Sequence, residues 1–395
     1  MASTPSGLAI RQRLPVSARA RPAELPPNLQ KYADTGEALI AEPFKGITMD
    51  GNVIPRLFPL GKTGISTRPV QDAAEALLAS LGPEQRARTL FTLDSDVWRR
   101  WSNIHPFIMR HGVSLEEMSP VQRDHALALL RESLSADGFQ TARGIMRLNE
   151  LVRTITGSDL EYGEWPYWLS VMGTPSPHEP WGWQIDGHHL IVNCFVLGDQ
   201  LVMTPMFMGS EPVAAEEGPY AGTRVFRPEE QQGLALVRAL TPEQRRRTIL
   251  ATDLPTEVFT AAFRDNLEMK YEGIRYGDLS SAQQRLLLEV LETYVGRIRG
   301  GHAGVRLEEV TRHLAQTCFA WMGGFDEESA FYYRLHSPVV LVEFDHQRGI
   351  VFDNDRPARH HIHTVVRTPN GNDYGRDLLG QHHARFDHTR PDHRH

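Results

Sequence analysis

The stretch HHIHTVVRTPNGNDYG, residues 360–375, sets three histidines in four positions ahead of a β-branched run and a Pro-Asn-Gly-Asn-Asp turn. On a strand, His361 and His363 are two apart and point to one face, a frequent way of offering two imidazoles to one ion. Further histidines stand at expected strand edges: His336 in FYYRLHSPVVLVEFDHQ, and His188 and His189 in WGWQIDGHHL, just after Asp186. Neutral imidazole suits Zn, Cu, Fe or Ni. The candidate metal ligands are therefore His188, His189, His336, His361 and His363, with Asp186 as a further ligand or as the group orienting one. Taken singly, each histidine is as readily a satisfied strand residue. Their grouping is what points to a metal.

Other chemistry is available to the same residues. Asp186 with His188 or His189 would also make a metal-free acid–base pair. Glu343 and Asp345 alternate onto one face, as ligands, general bases or the polar side of a hairpin. Asp186, Glu343 and Arg367 are the candidate catalytic groups. Arg334 and Arg367 suit a substrate carboxylate held by paired donors, or equally a neighbouring acid. Trp181, Trp183, Tyr332 and Tyr333 would line a stacking cleft for an aromatic or sugar substrate, or else form core. No GxSxG nucleophile elbow and no Gly-rich phosphate loop occurs.

These residues need elements to hold them, and the chain reads twice. LGPEQRARTLF from Leu81 returns as LTPEQRRRTIL from Leu240, and GVSLEEMSPVQRDHALALL from Gly112 returns as GIRYGDLSSAQQRLLLEVL from Gly273. The two halves are expected at about 69–215 and 227–375. Helical spacing runs through PVQDAAEALLASL and RPEEQQGLALVRAL. Pro83, Pro120 and Pro242 restart helices at their first turn, and Ser280 caps another. A further helix is expected at 140–155 and at 306–317. Each half then changes to strand composition, YWLSVMG through LVMTPMF and CFAWMGG through RGIVF. The expected fold is α+β: two related halves, each a helical segment followed by a β-hairpin, with the hairpins joined in a central antiparallel sheet about a pseudo-twofold axis. Strands at 339–344, 350–352 and from 361 would make a meander. That meander puts His336 at the edge of His361 and His363, and His346 at the opposite one.

Bulk properties narrow the class. The 395 residues carry a net charge of −7, with 41% hydrophobic and 23% charged residues. A soluble protein with a large core fits these values, and a nucleic-acid binder does not. No apolar run reaches membrane-spanning length. The two cysteines, Cys194 and Cys318, exclude both a disulfide framework and a cysteine zinc site. Residues 1–42 read as a disordered arm without a secretory h-region, 43–383 as one pseudo-twofold domain, and 384–395 as a His-rich disordered tail. A cytoplasmic location is expected; the oligomeric state is not set.

The motifs WGWQIDGHHL, FYYRLHSPVVLVEFDHQ and HIHTVVRTPNGNDYG resemble a bacterial and fungal family of unknown function, DUF3500. The resemblance runs from about Pro43 to His383. Its Gly-His-His-Leu matches Gly187–Leu190, its His-Ser-Pro matches His336–Pro338, and its Glu-Phe-Asp-His-Gln matches Glu343–Gln347. His-Thr-Val-Val-Arg matches His363–Arg367, and Gln-His matches Gln381–His382. The resemblance brings no activity with it. The residues themselves point to a metal-dependent enzyme, holding Cu, Fe or Zn and acting on a small organic molecule, with an oxidoreductase favoured over a hydrolase. A metal-free acid–base enzyme or a non-catalytic binding protein is the alternative.

Overall fold

The structure, a computed structural model, describes residues 8–20, 24–106 and 108–385. In chain order its elements are α1 (Pro27–Ile40), α2 (Arg68–Ser80), α3 (Pro83–Thr89), β1 (Leu90–Phe91), β2 (Val113–Ser114), α4 (Pro120–Ser133), α5 (Ala136–Thr156), β3 (Tyr167–Met172), β4 (Trp181–Gly187), β5 (Leu190–Leu197), β6 (Gln200–Val202) and β7 (Met206–Ser210). There follow α6 (Arg227–Ala239), α7 (Pro242–Thr248), β8 (Ile249–Ala251), β9 (Ile274–Arg275), α8 (Ser281–Val295), α9 (Gly300–Arg312), β10 (Cys318–Gly323), β11 (Phe331–His336), β12 (Leu341–His346), β13 (Ile362–Arg367) and α10 (Arg376–Arg385). Among the described residues no helix is long and apolar enough to cross a membrane.

Helix starts follow local chemistry. Ser119, Thr241 and Ser280 each accept from the amide of a glutamine three residues on, and that glutamine's side chain returns to the cap amide. Proline at the first helical position suits α4 and α7, because that amide has no helical partner anyway.

One mixed sheet of thirteen strands runs β1-β3-β4-β5-β7-β13-β12-β11-β10-β8, with β2, β6 and β9 off this path. The two strand groups meet where β7 pairs antiparallel with β13, Gly209 opposite His363 and Phe207 opposite Val365. The eight central strands are antiparallel, as expected. The edges are not: β1 lies parallel to β3 and β8 parallel to β10. A parallel pair needs a long crossover, and α4–α5 and α8–α9 supply it.

Strand alternation sorts the sheet into two faces. Tyr333, Phe344, Trp183 and Cys194 share the helix-covered face. There Tyr333 Oη meets Tyr294 Oη of α8 at 2.6 Å, and its ring fills the space over Gly233 of α6. The other face carries Gln184, Asp186, Tyr332, Arg334, Glu343, Asp345, His363 and Arg367 in register. Buried polar groups need partners, and here the β1–β2 and β8–β9 loops supply them. Gln184 Nε2 donates to the Trp98 carbonyl at 3.0 Å. Glu343 accepts from the Phe259 and Thr260 amides at 2.7 and 2.8 Å. Arg334 pairs with Glu272, and Arg367 with Asp265, both at 2.7 Å.

Several expectations need correction. Residues 27–40 of the expected disordered arm form α1, Ala20, Leu25, Ala33 and Ile40 are buried in the main core, and Ala18 is buried as well. Arg99 fixes its C-terminal end through the Leu39, Ile40 and Glu42 carbonyls. Ile10 also bridges to Phe352. Residues 1–7 and 21–23 of that arm, and 386–395 of the tail, lie outside the described residues, while Ala384 and Arg385 end α10. Helix α9 begins at Gly300 rather than 306: Gly301 packs against Ile65, where a Cβ would lie 2.8 Å from Cδ1. Finally, 350–352 is no strand. The Ile350, Val351 and Phe352 amides all donate to the buried Glu211 carboxylate, at 2.9–3.2 Å, which leaves none for a ladder.

Candidate metal centre

Without that strand, β13 pairs directly with β12, so the start of β13 lies beside the end of β12. Asp345 faces His363 and His346 faces Ile362, whereas His336 faces Leu341, which faces Arg367. His336 therefore stands at the far end of these strands from His361 and His363, against the Tyr271 ring at 4.6 Å. The expected edges of His336 and His346 are reversed.

The histidine that joins the pair comes from the other strand group. His188 and His189 form the two-residue turn between β4 and β5, closed by the Gly187–Leu190 pair. His189 is left-handed at φ 63°, a conformation histidine tolerates better than most side chains. Its amide donates to the Asn103 carbonyl and its carbonyl accepts from the Gly209 amide, which sets the turn over the β7–β13 seam. The three Nε2 atoms then converge: His361 to His363 at 3.0 Å, His363 to His189 at 3.1 Å, His361 to His189 at 3.3 Å. All three residues are at most 5% exposed. Gly209 makes the approach feasible, since a Cβ there would lie 2.8 Å from His363 Cδ2 and 3.1 Å from His189 Cδ2.

The outer nitrogens decide the tautomers. His361 Nδ1 lies 2.7 Å from the Arg348 carbonyl, and His363 Nδ1 lies 2.7 Å from Glu257 Oε1. Both oxygens only accept, so both Nδ1 atoms carry the proton. The Nε2 atoms of the two rings are turned toward each other at 3.0 Å; a cation between them would take up the lone pairs that unprotonated Nε2 atoms bring together. Three nitrogens at about 2.0–2.1 Å from a tetrahedral ion stand roughly 3.3 Å apart. The observed triangle matches one face of that tetrahedron. Burial lowers His361 to about 4, against the pull of Glu211. Burial and the neighbouring histidines hold His189 well below its ordinary value. Neutral imidazole is the form that binds a metal.

The remaining sequence candidates are placed elsewhere. His188 stacks on His189 at 3.9 Å and meets Asn149 Oδ1 with its own Nδ1. Asp186 accepts from the Ser102 amide at 3.4 Å rather than facing either histidine. Its burial raises it well above the usual carboxylate range. Glu343 holds the β8–β9 loop and accepts from Tyr332 Oη at 2.8 Å. Arg367, fully buried, lies between Asp265 and Asp373. Trp181, Trp183, Tyr332, Tyr333 and Arg334 are buried in the sheet and bring no described cleft to the three histidines. Sequence reasoning missed Glu257, Arg348 and Glu211. All three sit outside the strands, and no spacing rule ties them to a histidine.

A mixed α/β protein with a buried three-histidine cluster at the seam of its sheet is the class that fold and site define. The sequence model of one family, described as "Protein of unknown function (DUF3500)", matches residues 63–376, and the chain belongs to that family. No curated protein and no solved structure matches it.

Proposed function

We propose that this chain is a metal-dependent enzyme acting on a small organic molecule at His189, His361 and His363. The observation that carries the reading is the convergence of three Nε2 atoms, two of them on rings whose Nδ1 protons are already committed to oxygen. Zn, Cu or Fe would supply Lewis acidity there, and Cu or Fe electron transfer as well. Glu257 orients His363, and Asn103 Nδ2 donates to Glu257 Oε2 at 3.2 Å. The Glu257 side chain is 33% exposed, which marks the side from which a substrate reaches the cluster. An oxidoreductase is favoured because an all-imidazole shell suits Cu and Fe as well as Zn. Hydrolysis is the second reading, supported by the three-nitrogen, one-open-position geometry of catalytic zinc.

The test is turnover by tag-free protein ending at Arg385, which removes the His-rich tail. Dioxygen consumption and ester hydrolysis are screened over small organic substrates. Activity is expected to disappear on chelation and in His361→Ala, and to return with one ion. Turnover that survives complete removal of the ion contradicts the reading.

A cytoplasmic location accords with two free, buried cysteines. An internal duplication is supported by side-chain detail: Gln122 Nε2 donates to Gln85 Oε1 at 2.9 Å, and Gln283 Nε2 donates to Gln244 Oε1 at 2.8 Å, each pair linking the same two helix starts of its half.

A further inference from the structure

Residues 8–16 cross the outside of the protein as a strap, with no helix or strand of their own beyond one bridge, Ile10 with Phe352. The strap ties two segments together. At one end the Arg11 amide donates to the Val351 carbonyl at 2.8 Å, and the Asp353 amide to the Ala9 carbonyl at 2.9 Å. At the other, Arg13 pairs with Glu161 and donates to Tyr162 Oη at 2.6 Å. The Val16 amide donates to the same Glu161 carboxylate at 2.8 Å.

Both segments support the three histidines. Residues 348–353 carry the Arg348 carbonyl beside His361 Nδ1, and they hold Glu211, whose Oε2 lies 3.5 Å from that nitrogen. Residues 158–162 set Glu161 3.2 Å from His105 Nε2. The Tyr162 and His105 rings both lie against His188, at 5.6 and 5.9 Å, and His188 stacks on His189 at 3.9 Å. A file of rings thus leads from the strap to a candidate ligand. The strap itself is lightly held. Leu8 and Ile10 pack on a small cluster of Val152, Tyr162, Val351 and Phe352, separate from the main core. Leu14 is 88% exposed. Arg11 reaches Asp353 and Asp355, both exposed, and pairs of that kind add little stability. Between the strap and residues 156–162 and 350–351 lies a cavity of about 470 Å³. Segments with so few buried apolar contacts open while the rest of a protein stays folded.

We propose that residues 8–16 are a lid on the three-histidine site, an inference that rests on reading that site as a metal centre. Local release of the strap lets the ion in and out along His105 and His188, while substrate keeps the Glu257 side. Closed, the strap pins both supporting segments and holds the ion in place.

Access is measured on the metal-free, full-length protein with diethyl pyrocarbonate, mapped by peptide mass. Arg11→Glu with Arg13→Glu sets acids against Asp353, Asp355 and Glu161. The double variant should raise the modification rates of His105, His188 and His189 by roughly tenfold or more. Arg68→Glu, which reverses one side of an exposed pair within α2, should leave them at the parent's values. Trypsin should cut the folded parent after Arg11 or Arg13 while the strands remain whole, and the nicked protein gives the same comparison without a substitution. Zinc loaded into parent and double variant should be lost to a chelator faster from the variant. Equal modification rates, a strap that resists trypsin as long as the strands do, or equal rates of zinc loss would each overturn the proposal. Zinc that binds neither protein would instead strike the metal reading, and the modification rates would still decide the lid.

Discussion

His361 Nε2 and His363 Nε2 lie 3.0 Å apart, although the opposite nitrogen of each ring already donates to an oxygen. Two residues apart on one strand, the rings share a face. Their outer partners, the Arg348 carbonyl and Glu257, turn the Nε2 atoms inward, and His189 closes the triangle from across the seam.

Glu257→Gln keeps the shape of the side chain but removes the carboxylate that accepts from His363 Nδ1. Second-layer partners of this kind are worth roughly 10- to 100-fold in metal affinity. A loss in that range is expected, with the melting temperature of the metal-free protein nearly unchanged, since Glu257 is partly exposed. Competition with a chromogenic chelator measures it.

Gly209→Ala alters no ligand. The added Cβ would press on His363 Cδ2, His189 Cδ2 and the Ile362 carbonyl, so the variant should fold and yet bind metal more weakly than the parent. Circular dichroism and metal content, read on one sample, separate the two effects.

Arg367 is expected to matter for folding rather than for chemistry. It is buried with Asp265 and Asp373, and Asp265 also holds Arg99, which fixes the end of α1. Removing one partner of a buried ionic network costs about 3–5 kcal/mol. Arg367→Ala should lose stability on that scale in urea unfolding, and whatever fraction folds should bind metal normally.

Acid should destabilise the metal-free protein in two stages. Burial lowers His111 to about 4 and His336 to about 3, from an ordinary 6.5. Above about pH 6.5 neither affects stability. Below it the unfolded chain takes up protons that the folded protein refuses, and each histidine removes up to about 1.4 kcal/mol per pH unit until its folded value is reached. Glu230 acts later. Despite its burial, hydrogen bonds from His346 and Arg359 hold it at about 2, so its contribution is full above 4.5 and is lost as pH falls through about 2. The fall in urea midpoint between about pH 6.5 and pH 5 should therefore be shallower in a His111→Gln, His336→Gln variant.

Much of this arrangement was legible in the sequence, and what was not has physical causes. The helix starts followed from Ser-Pro, Thr-Pro and the glutamines behind them. The facing of His361 with His363 followed from strand alternation. Between His188 and His189 the sequence offered no choice, because turn geometry decides which ring swings over the seam. His336 was misplaced because Glu211 captures the 350–352 amides and removes the strand that the meander assumed. Arg334, Glu343 and Arg367 were legible as polar strand residues, yet their partners come from the β8–β9 loop, whose path no periodicity reveals. Glu257 was illegible for the same reason.

The measurement that bears most directly on the central claim is metal content by elemental mass spectrometry, on tag-free protein ending at Arg385 and on its His189→Ala, His361→Ala and His336→Ala variants. One transition-metal ion per chain is expected in the parent and in His336→Ala, and none in His189→Ala or His361→Ala. A parent that stays free of metal after growth in supplemented medium, or a His189→Ala variant that keeps its full complement, would contradict it.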